Sequence, residues 1–159
     1  MKGANLSNTN LIVAKLGTDK SLNLQGVNFS GQELSYTDFR NSNLNNANLK
    51  NTQLHTTFMQ KASLVEADLS NANLYKSNMR GSNLRNANLS NAHLERVNLT
   101  GANLSNTNLK NTLLLGADLR ETFMKGANLT NTNLIAAKLE LANFSDINFN
   151  NANLYKADL

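Results

Sequence analysis

Large apolar residues recur along this chain every five positions, and the residues between them are mostly polar. The series begins at Leu6, pauses after Leu16, and runs from Leu24 to Leu159 in steps of five, always with Leu, Phe or Met at this central position. The residue two before each centre is usually Ala, Ser or Thr, and the residue directly before it is usually Asn or Asp. A period of five matches neither a helix nor a strand alternation. It predicts a solenoid, in which each unit buries its apolar residue by stacking on its neighbours.

Many units read Ala-Asn-Leu followed by two variable residues, as at 4–6, 47–49, 87–89, 102–104 and 152–154. On these units the chain resembles the pentapeptide-repeat family, and the resemblance covers essentially its whole length. It implies an all-β fold, a right-handed quadrilateral parallel β-helix with four units, or twenty residues, in each coil. The centres and the small residues two before them would point inward. About eight coils would form one domain over residues 1–159, on the order of 38 Å long at about 4.8 Å per coil.

The five-residue spacing is interrupted once, between Leu16 and Leu24, where residues 17–21 supply three extra positions. Gly, Asp and Ser within this segment favour turns, so we predict a short insertion near 17–21 that bulges at a corner. Neither end shows a capping segment, and an open β edge favours pairing with another chain. Three interpretations of the ends stay open: a fragment of a longer protein, ends that stack on each other, or terminal coils that fray.

One face of the predicted column differs from the others. After its centres, which recur every twenty residues from Leu34 to Leu154, the sequence places Tyr, His, Leu and Ile where other faces have Ser, Asn, Lys or Arg. Aligned apolar side chains on a solvent-facing side are typical of a protein contact. The predicted interaction stripe comprises Tyr36, His55, Tyr75, Leu113, Leu115, Ile135 and Tyr155. The alternative interpretation is a set of scattered surface apolar residues without a binding role.

Two other faces carry regular polar patterns. One repeats Asn at every twentieth residue from Asn51 to Asn151, which favours left-handed turns and hydrogen-bonded amide ladders. A weaker hypothesis is that this flat array binds an ordered lattice such as ice or a polysaccharide. The other face mixes Arg with Asp and Glu, and mixed charge is typical of a solvated surface rather than of a nucleic-acid site.

The chain carries 15 Lys and Arg against 11 Asp and Glu, a net charge of +4. The resemblance extends to family members that protect DNA gyrase by imitating B-form DNA with a strongly acidic surface. A basic chain argues against that role, because its field has the opposite sign.

Candidate chemistry is sparse. There is no Cys, and His55 and His93 would lie roughly 10 Å apart along the column, too far to bind one zinc ion. The sequence contains no phosphate-binding loop and no nucleophile elbow. We therefore expect no catalytic residue, no metal, no cofactor and no small-molecule substrate.

The sequence also bears on location and role. No apolar run approaches the roughly 20 residues of a membrane span, and the chain is polar from Lys2 onward. These features predict a cytoplasmic, bacterial protein. The predicted function is a non-enzymatic, rigid interaction or scaffold module whose partner is another protein or a second copy. The alternatives are a structural subunit that self-assembles through its ends and a gyrase modulator, the latter disfavoured by charge.

Overall fold

The computed structural model describes residues 22–159, which wind into a column of seven coils without any helix. Its β-structure consists of single-residue parallel bridges rather than longer strands. Each bridge joins the residue before a centre to the residue twenty positions on, from Asn23–Asn43 to Lys138–Asp158. The chain therefore has the solenoid that the repeat predicted, in the form of the right-handed quadrilateral β-helix that the family resemblance implied. The predicted insertion near 17–21 and the eighth coil lie outside the described residues.

The four sides of the column are numbered here in chain order. Faces 1 to 4 begin at the centres Leu24, Phe29, Leu34 and Phe39, and each face recurs every twenty residues. The two residues after each centre form a turn, and that turn is the corner leading to the next face. The residue directly before a centre lies in the middle of a face, and we call it the Asx position.

Backbone hydrogen bonding explains why the unit has five residues. In the unit 87–91, the N–H of Ala87 closes a turn on the preceding centre, and that of Asn88 bonds back to the previous coil. The N–H groups of Leu89 and Asn91 bond forward to the next coil at 2.8 and 3.0 Å. The remaining N–H, that of Ser90, donates to Oδ1 of Asn88 at 3.2 Å. All five donors thus have acceptors, and the acceptor for the last of them is in most units the Asn or Asp before the centre.

The core is a stack of the repeated central residues. Every centre from Leu24 to Leu139 is buried, together with nearly all the small residues two positions before them, which confirms the predicted inward orientation. Most buried Thr side chains at these small positions bond through their hydroxyls to carbonyl groups, although the buried hydroxyl of Thr37 has no partner among the described residues. Thr112 Oγ1, for example, donates to the carbonyl of Leu89 at 3.0 Å. Each buried Leu contributes about 1.5–3 kcal/mol to folding.

The second turn residue adopts a left-handed conformation throughout. Every fifth residue from Gly26 to Lys156 has a positive φ, between 54° and 71°. Asn and Gly tolerate this conformation best. On the corner after face 2 the Asn residues also form a ladder, in which Nδ2 of Asn111 and of Asn131 each donates to the Asn of the preceding coil at 3.0 Å. The predicted amide ladder is therefore confirmed in this part of the column.

Candidate protein-interaction surface

The predicted interaction stripe follows the corner that joins face 3 to face 4. Six of its seven residues are turn residues at this corner, and Leu113 occupies an Asx position on face 3 beside it. The coil register places Tyr36 and Tyr155 six coils apart, about 29 Å at the usual strand spacing. The structure therefore brings all seven predicted residues onto one edge of the column.

The stripe residues are not equally exposed. Tyr36 and Tyr155 are each 64% exposed, Leu115 is 43% exposed and Tyr75 is 36% exposed. The stripe members His55, Leu113 and Ile135 are partly buried. Ser35, which occupies the same column of first turn residues, is buried and contributes nothing to the surface. Three tyrosines and Leu115 thus supply most of the accessible apolar area.

Polar groups divide the stripe into two parts. Between Tyr75 and Leu115 the corner carries Glu95 and Arg96, and Nδ1 of His93 lies 3.6 Å from Oε1 of Glu95. On one side of this break the Tyr36 ring packs edge-on against the His55 ring, with centroids 5.0 Å apart. On the other side lie the aliphatic residues of the stripe. The surface therefore offers an aromatic part and a mainly aliphatic part.

This corner violates the conformational preference of the turn. Its left-handed positions hold Tyr36, Thr56, Lys76, Arg96, Ala136 and Lys156, and only Gly116 suits the conformation. The equivalent positions after face 2 are Gly31 followed by Asn in every coil. A left-handed conformation costs roughly 1–2 kcal/mol for an ordinary residue, and more for a β-branched residue such as Thr56. Turn stability alone would favour Gly or Asn at these positions, so it does not explain the residues found at this corner.

Three turns of the same corner also lack the Asx hydrogen bond. Gln53, His93 and Leu113 occupy Asx positions, and the N–H two residues after each has no acceptor within residues 22–159. In the rest of the described column this loss occurs only after Phe58, Phe123 and Lys138. The sequence pattern shows these exceptions, but only the hydrogen-bond geometry shows which N–H groups lose their acceptors.

Two ion pairs mark the ends of the charged part of face 4. Arg40 binds Asp38 at 2.6 Å, and Arg120 binds Asp118 at 2.7 Å. The side-chain hydrogen bond from Arg120 lowers the pKa of Asp118 below its ordinary value of 3.8, although partial burial opposes the shift. Arg40 lowers the pKa of Asp38 in the same way.

Asp118→Asn is expected to lower stability at neutral pH but not in strong acid. A carboxyl whose pKa is lower in the folded state stabilises the fold above its unfolded pKa, and this contribution is lost as pH falls through the folded pKa. Asn keeps an Oδ1 acceptor for the backbone N–H of Arg120, but it removes the charge and the Oδ2 acceptor of the Arg120 guanidinium, which are the contacts that lower the pKa of Asp118. The measurement is the thermal midpoint of both proteins from pH 7 to pH 2. The effect should be small because the Arg120 side chain is 41% exposed, so that solvent screens the pair from that side.

The control for this titration is Asp146→Asn, at an exposed site whose nearest cation lies 3.9 Å away. At neutral pH its effect on the thermal midpoint should be smaller than that of Asp118→Asn, because both side chains of this pair are largely exposed. An Asp118→Asn difference that persisted unchanged to pH 2 would contradict the assignment.

Other chemistry is limited in the described part of the chain. Residues 22–159 contain no group of three His, Asp or Glu side chains placed to hold a metal ion. The same residues include no helix of the length and apolarity that crossing a membrane requires.

Comparison with known proteins agrees with the fold. The profile for pentapeptide repeats matches eight copies, over residues 23–60, 62–101, 98–134 and 127–159. The chain belongs to the pentapeptide-repeat family. No curated protein sequence matches this family member.

Several solved structures of the family are similar to it. HetL, a pentapeptide repeat protein involved in heterocyst differentiation regulation from the cyanobacterium Nostoc, is 23% identical over 87% of each chain, with a TM-score of 0.44. Rfr23 from the cyanobacterium Cyanothece is 30% identical over 60% of this chain and 58% of its own, with a TM-score of 0.46. QnrB1, a plasmid-mediated fluoroquinolone resistance protein, is 18% identical over 86% and 76%, with a TM-score of 0.42.

Proposed function

We propose that this pentapeptide-repeat protein is a non-enzymatic, rigid module that binds a protein partner, or a second copy of itself, through the interaction stripe. One observation carries the proposal. Of the eight large hydrophobic side chains that are exposed in residues 22–159, four lie on the corner between faces 3 and 4: Tyr36, Tyr75, Leu115 and Tyr155. Each of the other three corners carries at most one within the described residues.

The backbone at this corner supports the proposal. Left-handed Tyr36, Thr56 and Ala136 and the uncapped turns after Gln53, His93 and Leu113 make the corner less stable than the Asn-rich corner after face 2. Such departures are concentrated at binding sites in proteins, where the side chain is required for contact rather than for folding. The column itself is rigid because its coils are joined by continuous backbone hydrogen bonds. A rigid surface loses little conformational entropy on binding.

The test is a double substitution, Leu115→Asp with Ile135→Asp. Two carboxylates in the aliphatic part of the stripe would have to be desolvated on binding, so affinity should fall at least about tenfold. Self-association is examined first, by light scattering during size exclusion over a hundredfold range of concentration. A dimer that the double variant converts to a monomer of 17.4 kDa supports the stripe as a self-contact.

If wild type stays at 17.4 kDa, a partner is captured from a lysate and its binding to both proteins is compared. The matched control is Phe123→Asp with Leu141→Asp, which places two carboxylates on exposed apolar residues away from the stripe. The control should bind as wild type does. Equal binding by wild type and the Leu115/Ile135 variant would contradict the proposal.

A second candidate function is a structural subunit that assembles through its end. In the coil formed by residues 140–159, Phe144 and Phe149 are only partly buried, and their rings lie 5.6 Å apart. Mass that rises without limit with concentration would support this function, and Phe149→Asp should then stop the growth.

A further inference from the structure

We infer that face 4 holds a binding site for a short acidic peptide segment, separate from the interaction stripe. Four cations surround the middle of this face: Lys61, Lys76, Arg80 and Arg96. Lys76 and Arg96 lie on successive coils at the corner with face 3, and Lys61 and Arg80 lie on successive coils at the corner with face 1. We call these four residues the basic patch. The inference goes beyond the proposed function and does not depend on it.

The members of the basic patch are exposed and lack acidic partners. Within residues 22–159, none of the four lies within ion-pair distance of a carboxylate. The ammonium group of Lys76 lies 5.1 Å from the centre of the Tyr75 ring, a contact that leaves its charge unneutralised. Glu95 is the nearest acid along the chain, but its carboxylate is mostly buried and lies beside His93. The four cations of the basic patch are thus grouped in the middle of face 4 and separated from most of its acidic residues.

An exposed aromatic residue and a free backbone donor lie within the same area. Phe58, 43% exposed, occupies an Asx position between the two rows of cations. Because it supplies no oxygen, the N–H of Gln60 has no acceptor among the described residues. In the next coil, Asn78 Oδ1 accepts the corresponding N–H of Arg80 at 3.2 Å. Four cations and one unpaired N–H make a set of donors that suits carboxylates, and Phe58 suits an apolar side chain.

The extent of the basic patch favours a peptide over a nucleic acid. Face 4 is about 10 Å across, and the patch covers three coils, roughly 10–15 Å of the column. Its ends are set by acidic groups at Asp38 on one side and at Asp118 and Glu121 on the other. A phosphate backbone that continued past the patch would meet the neutralised Asp38–Arg40 and Asp118–Arg120 pairs and so gain little further attraction, and a single aromatic residue offers little stacking. An extended segment of four or five residues rich in Asp and Glu fits this length at about 3.3 Å per residue.

The experiment measures binding of a labelled hexaglutamate peptide by fluorescence anisotropy at low ionic strength, with a labelled oligothymidylate of the same length as the second probe. The charge-reversal variant is Lys61→Glu, Arg80→Glu and Arg96→Glu. It should bind hexaglutamate at least tenfold more weakly than wild type. The matched control, Lys50→Glu, Lys110→Glu and Lys125→Glu, changes the net charge equally at exposed sites on other corners and should retain most of the affinity.

Phe58→Asn tests the role of the free N–H without changing the charge. Its Oδ1 should accept the Gln60 N–H, as Asn78 does for Arg80, and so compete with the peptide carboxylate. We expect a severalfold loss of hexaglutamate affinity with an unfolding midpoint equal to or above that of wild type. A purely structural role of Phe58 predicts unchanged binding, which would overturn this part of the inference.

The remaining outcomes are decisive as well. No hexaglutamate binding by wild type, or equal weakening by the two triple variants, would overturn the inference. Tighter binding of oligothymidylate that the charge-reversal variant abolishes would reassign the basic patch to a nucleic acid. A Leu115→Ser and Ile135→Ser variant adds no charge beside Arg96 and should bind hexaglutamate as wild type does, so this result is independent of the proposed function.

Discussion

Leu84→Asp is expected to disrupt the middle of the column and to lower the free energy of unfolding by at least about 3 kcal/mol. Leu84 is completely buried and lies between the centres Leu64 and Leu104 of the neighbouring coils, both also fully buried. An aspartate there would lose the contacts of the leucine and place a carboxylate in a site without a polar partner. Because each coil supports the next, the damage should spread to adjacent coils.

The measurement for Leu84→Asp is urea unfolding followed by circular dichroism, with hydrogen exchange to show which coils open. A repeat column need not unfold in one step, and the urea midpoint then reports an average over all coils. Hydrogen exchange shows which individual coils have lost their structure. The matched control is Asn83→Asp at the adjacent Asx position. Its carboxylate can still accept the N–H of Arg85, as Asn83 Oδ1 does at 3.2 Å.

Asn83→Asp should change stability by no more than about 0.5 kcal/mol, as is usual for a surface substitution. The Asx positions above and below it are Ser63 and Asn103, so the new charge meets no neighbouring carboxylate. Similar unfolding midpoints for Leu84→Asp and Asn83→Asp would contradict the inward orientation of the centres.

Asn111→Pro is expected to have the second largest effect, a loss of about 3 kcal/mol or more. Asn111 has a φ of 59°, whereas proline is held near −65°. Proline also removes the N–H that Asn111 donates to the carbonyl of Thr130 at 3.0 Å, and it removes the amide from the ladder. The chain contains no proline at all, which is consistent with its continuous use of backbone donors.

Asn111→Gly separates the backbone effect from the ladder. Glycine adopts a positive φ without strain and keeps the N–H, so only the side-chain hydrogen bonds to Asn91 and from Asn131 are lost. We expect a loss of about 1 kcal/mol or less, since these amides are exposed to water. Equal losses for the proline and glycine variants, measured by thermal and urea unfolding, would show that the ladder rather than the backbone conformation determines stability here.

Periodicity determined the fold because every coil repeats the same local requirements. A Leu, Phe or Met centre must be buried, a small residue must fit beside it, and an Asx residue must accept the N–H of the turn. Each five-residue unit contains the residue types that meet these requirements, so the pattern recurs many times within one sequence. The alignment of the interaction stripe along one corner followed from the same coil length.

The sequence by itself therefore determined the solenoid, the inward and outward positions and the column of apolar side chains near the corner between faces 3 and 4. Only the tertiary structure decided which donors lack acceptors among residues 22–159, as at Gln60, and which cations there lack carboxylate partners, as at Arg80 and Lys61. The physical reason is that an ion pair or a hydrogen bond depends on atoms from neighbouring coils and on how each side chain leans. The sequence showed that face 4 carries charges of both signs. The stacking of the coils brings the four cations of the basic patch together in the middle of that face.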